Sequence, residues 1–221
     1  MSREGGDGRT RYHIDKLVLR PETGIWLPAL AFVPQNARQD AYLYLHAEGK
    51  QADTAPGGPI EKLVQDGHLV LAVDLRGTGE TANRSPNQRH TGRYVGALLD
   101  DVNIAYELGT SYLAMRAEDV LVCGRFLAGY RSPDRPRRVH LVSTGVVGPA
   151  VLHAAALEPR LFASLTLREC LVSWSGVVRA RPPDKAQLIN VVHGALRLYD
   201  LPDLLATLPP KQRTVVDPLE P

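Results

Sequence analysis

Residues 138–157 constrain the fold of this chain more than any other stretch. An apolar run at 139–142 leads through small residues into an Ala- and Leu-rich segment that ends at 157. The small residues are Ser143, Thr144, Gly145 and Gly148. An apolar run predicts a buried strand, small residues and glycines predict a sharp turn, and the Ala/Leu pattern predicts a helix. We therefore expect a strand, a tight turn and a helix in direct succession.

The segments on either side predict further strands and helices. Alternating and apolar runs predict an antiparallel hairpin at 12–19 and 25–33, buried strands at 41–45 and 69–73, a strand at 162–167 with a possible continuation at 171–174, and a last strand at 213–216. Helical spacing predicts helices at 59–67, at 94–130 with a break near Gly109, and at 202–208, with 186–198 helical or irregular.

This order of elements predicts an α/β fold. A hairpin followed by alternating strands and helices indicates a mostly parallel central sheet with helices on both faces. We expect a single domain over 12–221, preceded by a flexible, glycine-rich lead-in at 1–11. Functional residues of such sheets lie at the carboxyl ends of the strands. Those ends are predicted at 46–50, 74–79, 144–148, 168–174 and 217–220.

The composition limits the kinds of partner and ligand that we expect for this chain. The 26 basic and 24 acidic residues are spread along the chain and give a net charge of +2 at pH 7, so no nucleic-acid partner is expected. No signal peptide and no membrane-length apolar run is visible, so we expect a soluble chain with no membrane partner, in a compartment that the sequence does not fix. Cys123 and Cys170 lie inside apolar runs and predict buried thiols. No metal or nucleotide motif is present, so neither a metal nor a cofactor is expected.

Three segments together resemble the α/β-hydrolase superfamily, most closely its acetyl xylan esterase and dienelactone-hydrolase-like branch. They are Tyr-Leu-His-Ala-Glu-Gly at 44–49, Val-Asp-Leu-Arg-Gly-Thr-Gly-Glu-Thr at 73–81, and Val-Ser-Thr-Gly-Val-Val-Gly-Pro at 142–149. The resemblance extends from about Tyr12 to the end of the chain. It implies a hydrolase of carboxylic esters, related to carbohydrate esterases, with a nucleophilic serine in a Gly-x-Ser-x-Gly turn.

The catalytic residues implied by the resemblance are incomplete. Placing the first glycine of that motif on Gly145 puts Val147 at the nucleophile position, and valine has no nucleophilic group. The acid of the triad falls at Glu220, with Asp217 as the alternative. No histidine follows Glu220, whereas relatives continue through another helix and strand to their catalytic histidine. The resemblance therefore implies a degenerate or truncated unit.

The resemblance also implies an oxyanion hole and a pocket. One backbone donor falls in the loop at 46–49, which contains His46 and Gly49, and the other is the amide of Gly148. The predicted walls of the pocket are His46, Arg76, Val147, Trp174 and His193. Asp74, Arg76 and Glu80 are expected to form an ion-pair network that shapes their loop.

Other residues could replace the missing nucleophile and base. Ser143 or Ser173 could act with His193, which could in turn pair with Asp200 or Asp203. The competing interpretation is that these hydroxyls bond local backbone groups and that the histidine is structural. Ser175, like Ser173, lies beside Trp174 and could touch a ligand. His140 and His153 are expected to be packing residues.

Three functional hypotheses follow. The chain could be a hydrolase-like unit whose parent protein owes its activity to other residues. It could be a non-catalytic structural or glycan-binding module that partners a catalytic hydrolase domain of the same parent or a second copy of itself. It could also be an active esterase with a displaced serine.

Overall fold

The computed structural model describes residues 4–5, 12–82, 93–94, 97–181 and 185–219. The strands of these residues are β1 (Glu4–Gly5), β2 (Tyr12–Leu19), β3 (Leu27–Pro34), β4 (Asp40–His46), β5 (Leu69–Val73), β6 (Arg93–Tyr94), β7 (Ala97–Leu98), β8 (Arg138–Thr144), β9 (Phe162–Arg168) and β10 (Arg213–Val216). Their α-helices are α1 (Pro59–Gln65), α2 (Leu99–Glu107), α3 (Tyr112–Gly129), α4 (Gly148–Leu157), α5 (Trp174–Arg179) and α6 (Leu201–Thr207). Short 3₁₀ helices are Gly79–Thr81, Gly145–Val147, Lys185–Asn190, Ala195–Arg197 and Pro210–Gln212.

The central sheet is mixed and has the strand order β1-β2-β3-β5-β4-β8-β9-β10. The pairs β1–β2, β2–β3 and β3–β5 are antiparallel. The pairs β4–β5, β4–β8, β8–β9 and β9–β10 are parallel. The predicted parallel sheet with an N-terminal antiparallel hairpin is therefore confirmed.

Helices cover both faces of the sheet. All five residues of β5 are buried, as expected for a strand enclosed on both sides. One face packs against α3, α4 and α6 in the larger core, which includes Leu141, Val151 and Leu201. The other face packs against α1 through Ile60 and Val64. The two cores hold the strand ends in place, and with them the loops that those ends carry.

Two local predictions need comment. The continuation of the strand over 171–174 is wrong, because Leu171 forms only an isolated bridge to Leu219 and the chain enters α5 at Trp174. Ser173 caps that helix by accepting a hydrogen bond from the Gly176 amide. Segment 186–198, expected to be helical or irregular, contains 3₁₀ turns.

The two ends of the chain are described only in part. Of the predicted lead-in at 1–11, residues Glu4–Gly5 pair with β2, and the remainder lies outside the described residues. Glu220 also lies outside them. In the part of the chain that the structure describes, no helix combines the length and the apolar character needed to cross a membrane.

Candidate active site at the strand-to-helix turn

The turn after β8 changes direction at Gly145. Strand β8 ends at Thr144, Gly145 has a φ of +79°, and a short 3₁₀ turn leads into α4. A φ in this range strains any residue that carries a Cβ. A Cβ built on Gly145 would also lie 2.9 Å from the Cβ of Ala47. Both backbone conformation and space therefore require glycine here.

Val147, the predicted nucleophile position, is the last residue of the 3₁₀ turn. It has right-handed helical geometry, with φ −79° and ψ −12°, directly before α4. Its side chain is 0% exposed and belongs to the larger core. The residue in the strained turn conformation is Gly145, two positions earlier. Val147 as the vestigial nucleophile position stays a prediction, and the residue whose backbone angles mark the turn is Gly145.

Gly148 lies at the start of α4, where its amide donates to the carbonyl oxygen of Gly145. It is buried against Cys170, and a Cβ on Gly148 would lie 2.5 Å from the Cys170 Cβ. Burial raises the pKa of the Cys170 thiol to about 11. The thiol is therefore protonated at neutral pH, which makes it a weak nucleophile. Cys123 is buried as well, so the prediction of two buried thiols is confirmed.

The amides of the loop after β4 all have hydrogen-bond acceptors within the fold. The donations run from Ala47 N to the Thr144 carbonyl oxygen (3.0 Å), from Glu48 N to Nδ1 of His46 (3.1 Å), from Gly49 N to the His46 carbonyl oxygen (3.0 Å) and from Lys50 N to Oδ1 of Asp74 (2.5 Å). An amide that already donates to the protein is not available to a ligand oxygen. The predicted oxyanion donor of this loop is therefore occupied.

Asp74 joins this loop to the one after β5. Its side chain is 1% exposed and accepts from Lys50 Nζ at 2.7 Å and from the Glu80 amide at 3.0 Å. Lys50 also pairs with the Glu80 carboxylate. Burial lowers the pKa of Lys50, but the two carboxylates outweigh it and raise the pKa above its ordinary value. Sequence reasoning missed Lys50, although its place directly after Gly49 put it in a predicted functional loop.

Arg76 belongs to a second ion-pair group. Its guanidinium contacts the buried carboxylate of Asp119 through Nε (2.8 Å) and Nη2 (2.6 Å), and Glu22 at 3.0 Å. Arg116 is fully buried, donates from Nε to the Arg76 carbonyl oxygen at 2.9 Å and stacks on the Tyr112 ring. The predicted network of Asp74, Arg76 and Glu80 is thus two groups, because Asp74 and Glu80 share Lys50 whereas Arg76 pairs with Asp119 and Glu22.

The predicted serine–histidine pairs do not form among the described residues. Ser143 is 0% exposed, and its Oγ has no described hydrogen-bond partner. Ser173 Oγ donates to Oδ2 of Asp200 at 2.7 Å. His193 is exposed and its ring meets Tyr106 edge-on. The carboxylate of Asp203 accepts from the Asp200 amide at 2.8 Å and not from His193.

Asp200 instead connects α5 to α6. Its carboxylate accepts from the amides of Trp174 (2.7 Å), Ser175 (3.2 Å) and Leu201 (2.7 Å), in addition to Ser173. Burial raises the pKa of this carboxyl, but the hydrogen bonds outweigh burial and lower the pKa to about 2. Its geometry is therefore that of a helix cap.

His153 is held by two hydrogen bonds. Its Nδ1 lies 2.7 Å from the Pro149 carbonyl oxygen, and its Nε2 lies 3.0 Å from the Tyr199 hydroxyl. A carbonyl only accepts, so Nδ1 carries the proton and Nε2 accepts from Tyr199. Burial lowers the pKa of the imidazole. The ring also packs against Trp174, which agrees with the predicted packing role.

His140, also expected to be a packing residue, lies in a chain of hydrogen bonds with a serine and an aspartate. Its Nδ1 is 2.8 Å from Ser164 Oγ and its Nε2 is 3.1 Å from Asp40 Oδ1. These residues are neighbours across β4, β8 and β9, near the amino ends of the strands and opposite the turn at Gly145. Asp40 is shared with Arg138, which donates to its Oδ2 at 2.6 Å. Sequence reasoning missed this arrangement because strand register alone brings the three side chains together.

Two of the predicted pocket walls, Arg76 and Trp174, line different cavities. A cleft of about 530 Å³ is lined by Arg76 and by Ile25, Trp26, Thr81, Ile104 and Tyr112, among others. A cavity of about 80 Å³ has Trp174 in its wall. Among the described residues, no three His, Cys, Asp or Glu side chains converge as metal ligands would. Asp217 follows β10 and is exposed, with φ +47°.

The arrangement of strands and helices is similar to that of solved esterases. A candidate acetyl xylan esterase from Bacteroides fragilis has a TM-score of 0.67 and 16% identity, over 96% of this chain and 59% of that protein. An esterase from Pyrococcus furiosus has a TM-score of 0.52 and 14% identity, over 75% of this chain and 52% of that protein. Dienelactone hydrolase from Anabaena variabilis has a TM-score of 0.48 and 14% identity, over 93% and 86%.

These similarities establish the fold: the chain has the α/β-hydrolase fold. It spans little more than half the length of the first two of these proteins. The sequence itself matches no protein-family model, and no curated protein matches it.

Proposed function

We propose that this chain is a non-catalytic module with the α/β-hydrolase fold, related to carboxylic-ester esterases of the acetyl xylan type. Its role is structural or binding, and it does not hydrolyse esters at the turn after β8. One observation carries the proposal: the residue in the strained turn between β8 and α4 is Gly145, which has no side chain.

The chemistry of the fold explains why a glycine at position 145 matters. α/β-Hydrolases present a serine on a strained strand-to-helix turn, so that its Oγ projects from the edge of the sheet towards the substrate. Here the equivalent space faces Ala47, whose Cβ lies 2.9 Å from where a Cβ on residue 145 would be. The position thus lacks a nucleophile and has no room for one without movement of the neighbouring loop.

The amides near the turn support the same conclusion. Stabilising a tetrahedral intermediate requires backbone donors aimed at its oxyanion. The Ala47 amide of the loop after β4 instead donates to the Thr144 carbonyl oxygen. A serine supplied elsewhere near this turn would therefore still lack the donor that this loop supplies in hydrolases.

A second candidate function is a weak esterase centred on Ser164. The hydrogen bonds from Ser164 to His140 and from His140 to Asp40 favour it, because a serine oriented towards an imidazole that contacts a carboxylate is the arrangement of a catalytic triad. Against it, Ser164 lies inside a strand, where backbone amides pair with neighbouring strands and are not free to bind an oxyanion.

Ester hydrolysis distinguishes the two candidates. The wild type is assayed with p-nitrophenyl acetate and acetylated xylo-oligosaccharides, beside Ser164→Ala, Ser143→Ala and Ser173→Ala. The first proposal predicts that all four proteins release product at the rate of buffer containing an inert protein. Turnover that only Ser164→Ala abolishes supports the second candidate. Turnover that another serine variant abolishes overturns both.

The ligand and the partner of the module are also part of this proposal. The link to acetylated glycans rests on resemblance, and the cleft that exposes Trp26 offers an aromatic surface for a sugar ring. As a partner of the module we propose a catalytic hydrolase domain of the same parent protein, with self-association as the alternative.

A further inference from the structure

An exposed apolar patch lies on the segment between β9 and α6. Five large apolar side chains of this segment are solvent-exposed: Val178, Leu188, Val191, Leu196 and Leu198. Leu198 is 87% exposed and Val178 is 63% exposed. Three of them, Val178, Val191 and Leu196, line one cavity and so lie close together, and contiguous exposed apolar surface marks a site of interaction. We refer to these five residues as the apolar patch.

The patch has a cavity within it. The cavity of about 80 Å³ is walled by Val178, Val191 and Leu196 of the patch, together with Trp174, Val177, Gln187 and Val192. The indole of Trp174 is fixed because its Nε1 donates to the Asn190 carbonyl oxygen at 3.0 Å. A preformed apolar cavity of this kind suits a single branched aliphatic side chain of a partner.

Two arginines are next in sequence to residues of the cavity wall. Arg179 follows Val178, and Arg197 follows Leu196. Both are exposed, and the structure gives neither an ion pair with a described residue. Exposed guanidinium groups on residues adjoining the cavity wall complement a ligand that combines carboxylates with an apolar side chain.

From these features we infer that the apolar patch docks an acidic amphipathic segment of a partner protein. The segment places an aliphatic side chain in the cavity beside Trp174, and its carboxylates pair with Arg179 and Arg197. The segment that carries the patch is linked to the turn by a hydrogen bond from Asn190 Nδ2 to the Val146 carbonyl oxygen (2.8 Å), but the inference needs no catalytic group at that turn.

Other occupants fit the patch less well. A second copy docked patch to patch would bring the arginines of both copies together, and like charges in an interface disfavour binding. A membrane surface would satisfy the arginines and the protruding Leu198. It would not use the enclosed cavity, because a bilayer interface presents no single side chain to fill it.

Peptide selection tests the inference. A display library of random peptides, each about a dozen residues long and able to form about three helical turns, is selected on the wild-type chain and depleted on Leu196→Ser/Arg197→Glu. We expect the enriched peptides to carry Asp or Glu and apolar residues at helical i, i+3 or i+4 spacing. Enrichment of basic or uncharged peptides, or no enrichment over the depleted pool, overturns the inference.

Affinities of the best enriched peptide then locate its site. By fluorescence polarisation we expect Leu196→Ser and Arg197→Glu each to weaken binding at least about tenfold. The matched surface changes Leu157→Ser and Arg160→Glu, on and after α4, should alter it less than about twofold. All four positions are exposed, and thermal melts verify that each variant folds. Equal affinities of all the variants would contradict the inference.

Two further measurements test whether a lipid surface or a second copy of the chain occupies the patch instead. The wild type is mixed with phosphatidylcholine vesicles containing about one third phosphatidylserine. It is also run on size exclusion over a range of concentrations. We expect neither vesicle binding nor a dimer that Leu196→Ser abolishes. Vesicle binding lost in Leu196→Ser would assign the patch to a lipid surface, and such a dimer would assign it to a second copy; each result overturns the inference.

Discussion

Gly145 and Ala47 are in contact across the turn after β8 and the loop after β4. The Ala47 amide donates to the carbonyl oxygen of Thr144 at 3.0 Å, and a Cβ on Gly145 would lie 2.9 Å from the Cβ of Ala47. The loop thus closes over the position from which a nucleophile would project. Substitutions at these two residues report directly on this closure.

We predict that Gly145→Ser destabilises the protein and confers no esterase activity. The left-handed backbone conformation costs a residue with a Cβ about 1–2 kcal/mol, and the contact with Ala47 adds to that loss. Gly145→Ser/Ala47→Gly should recover part of the contact term but not the strain. Urea denaturation measures both variants. Equal stabilities of the single and double variants would show that the Ala47 contact has no energetic weight.

Val147→Ser tests whether position 147 is the nucleophile position. Because Val147 is fully buried, the serine loses apolar contacts and buries a hydroxyl, at a cost of about 2 kcal/mol. The control Val178→Ser, at an exposed valine, should change the free energy of unfolding by less than about 0.5 kcal/mol. We expect no ester turnover from Val147→Ser, and measurable turnover would place position 147 at the substrate.

Removal of the Asp74 carboxylate should destabilise the two loops strongly. Asp74→Ala leaves the buried Lys50 ammonium with only the Glu80 carboxylate, and losing one partner of a buried ion pair costs about 3–5 kcal/mol. The exposed pair Arg125–Glu158 is the control, and Arg125→Ala should cost less than about 1 kcal/mol. Chemical denaturation of the two variants decides the matter, and comparable losses would refute the assignment of Asp74 as the link between the loops.

The lowered pKa of Asp200 should make the stability of the fold depend on pH. Its pKa of about 2 in the fold lies below the value of about 3.9 for an unfolded aspartate, so the ionised carboxylate stabilises the fold at neutral pH. That contribution is lost as the pH falls from about 4 through about 2. Asp200→Asn should therefore be less stable than the wild type at neutral pH, with the gap closing over that range. A gap that persists at the acid end would show that Asp200 acts through packing and not through its charge.

The sequence predicted the framework well because its signals are local. The apolar run before Ser143, the glycines after it and the alanine-rich helix specify a strand, turn and helix without any distant contact. The hairpin and the buried strands follow from similar runs. The continuation of the strand at 171–174 failed because Ser173 caps a helix there, a role fixed partly by Asp200, which lies far along the chain.

The site was harder to predict because its geometry depends on backbone angles and on register. The sequence shows a glycine at 145, but only the φ of +79° identifies it, and not Val147, as the residue at the turn. The contact between Ser164 and His140 likewise depends on the register of β8 and β9. The triad acid stays a prediction, since Glu220 lies outside the described residues and Asp217 is an exposed residue after the last strand.

Reaction with a fluorophosphonate probe shows whether the chain has an activated serine, because such a probe forms a covalent bond with an activated serine whatever the natural ester. The folded chain is incubated with excess probe at neutral pH, and its intact mass and tryptic peptides are measured beside a urea-unfolded sample. A non-catalytic role predicts no labelling above that of the unfolded chain at any serine, including Ser143, Ser164 and Ser173. Stoichiometric labelling of one serine in the folded chain, absent after unfolding, would contradict it.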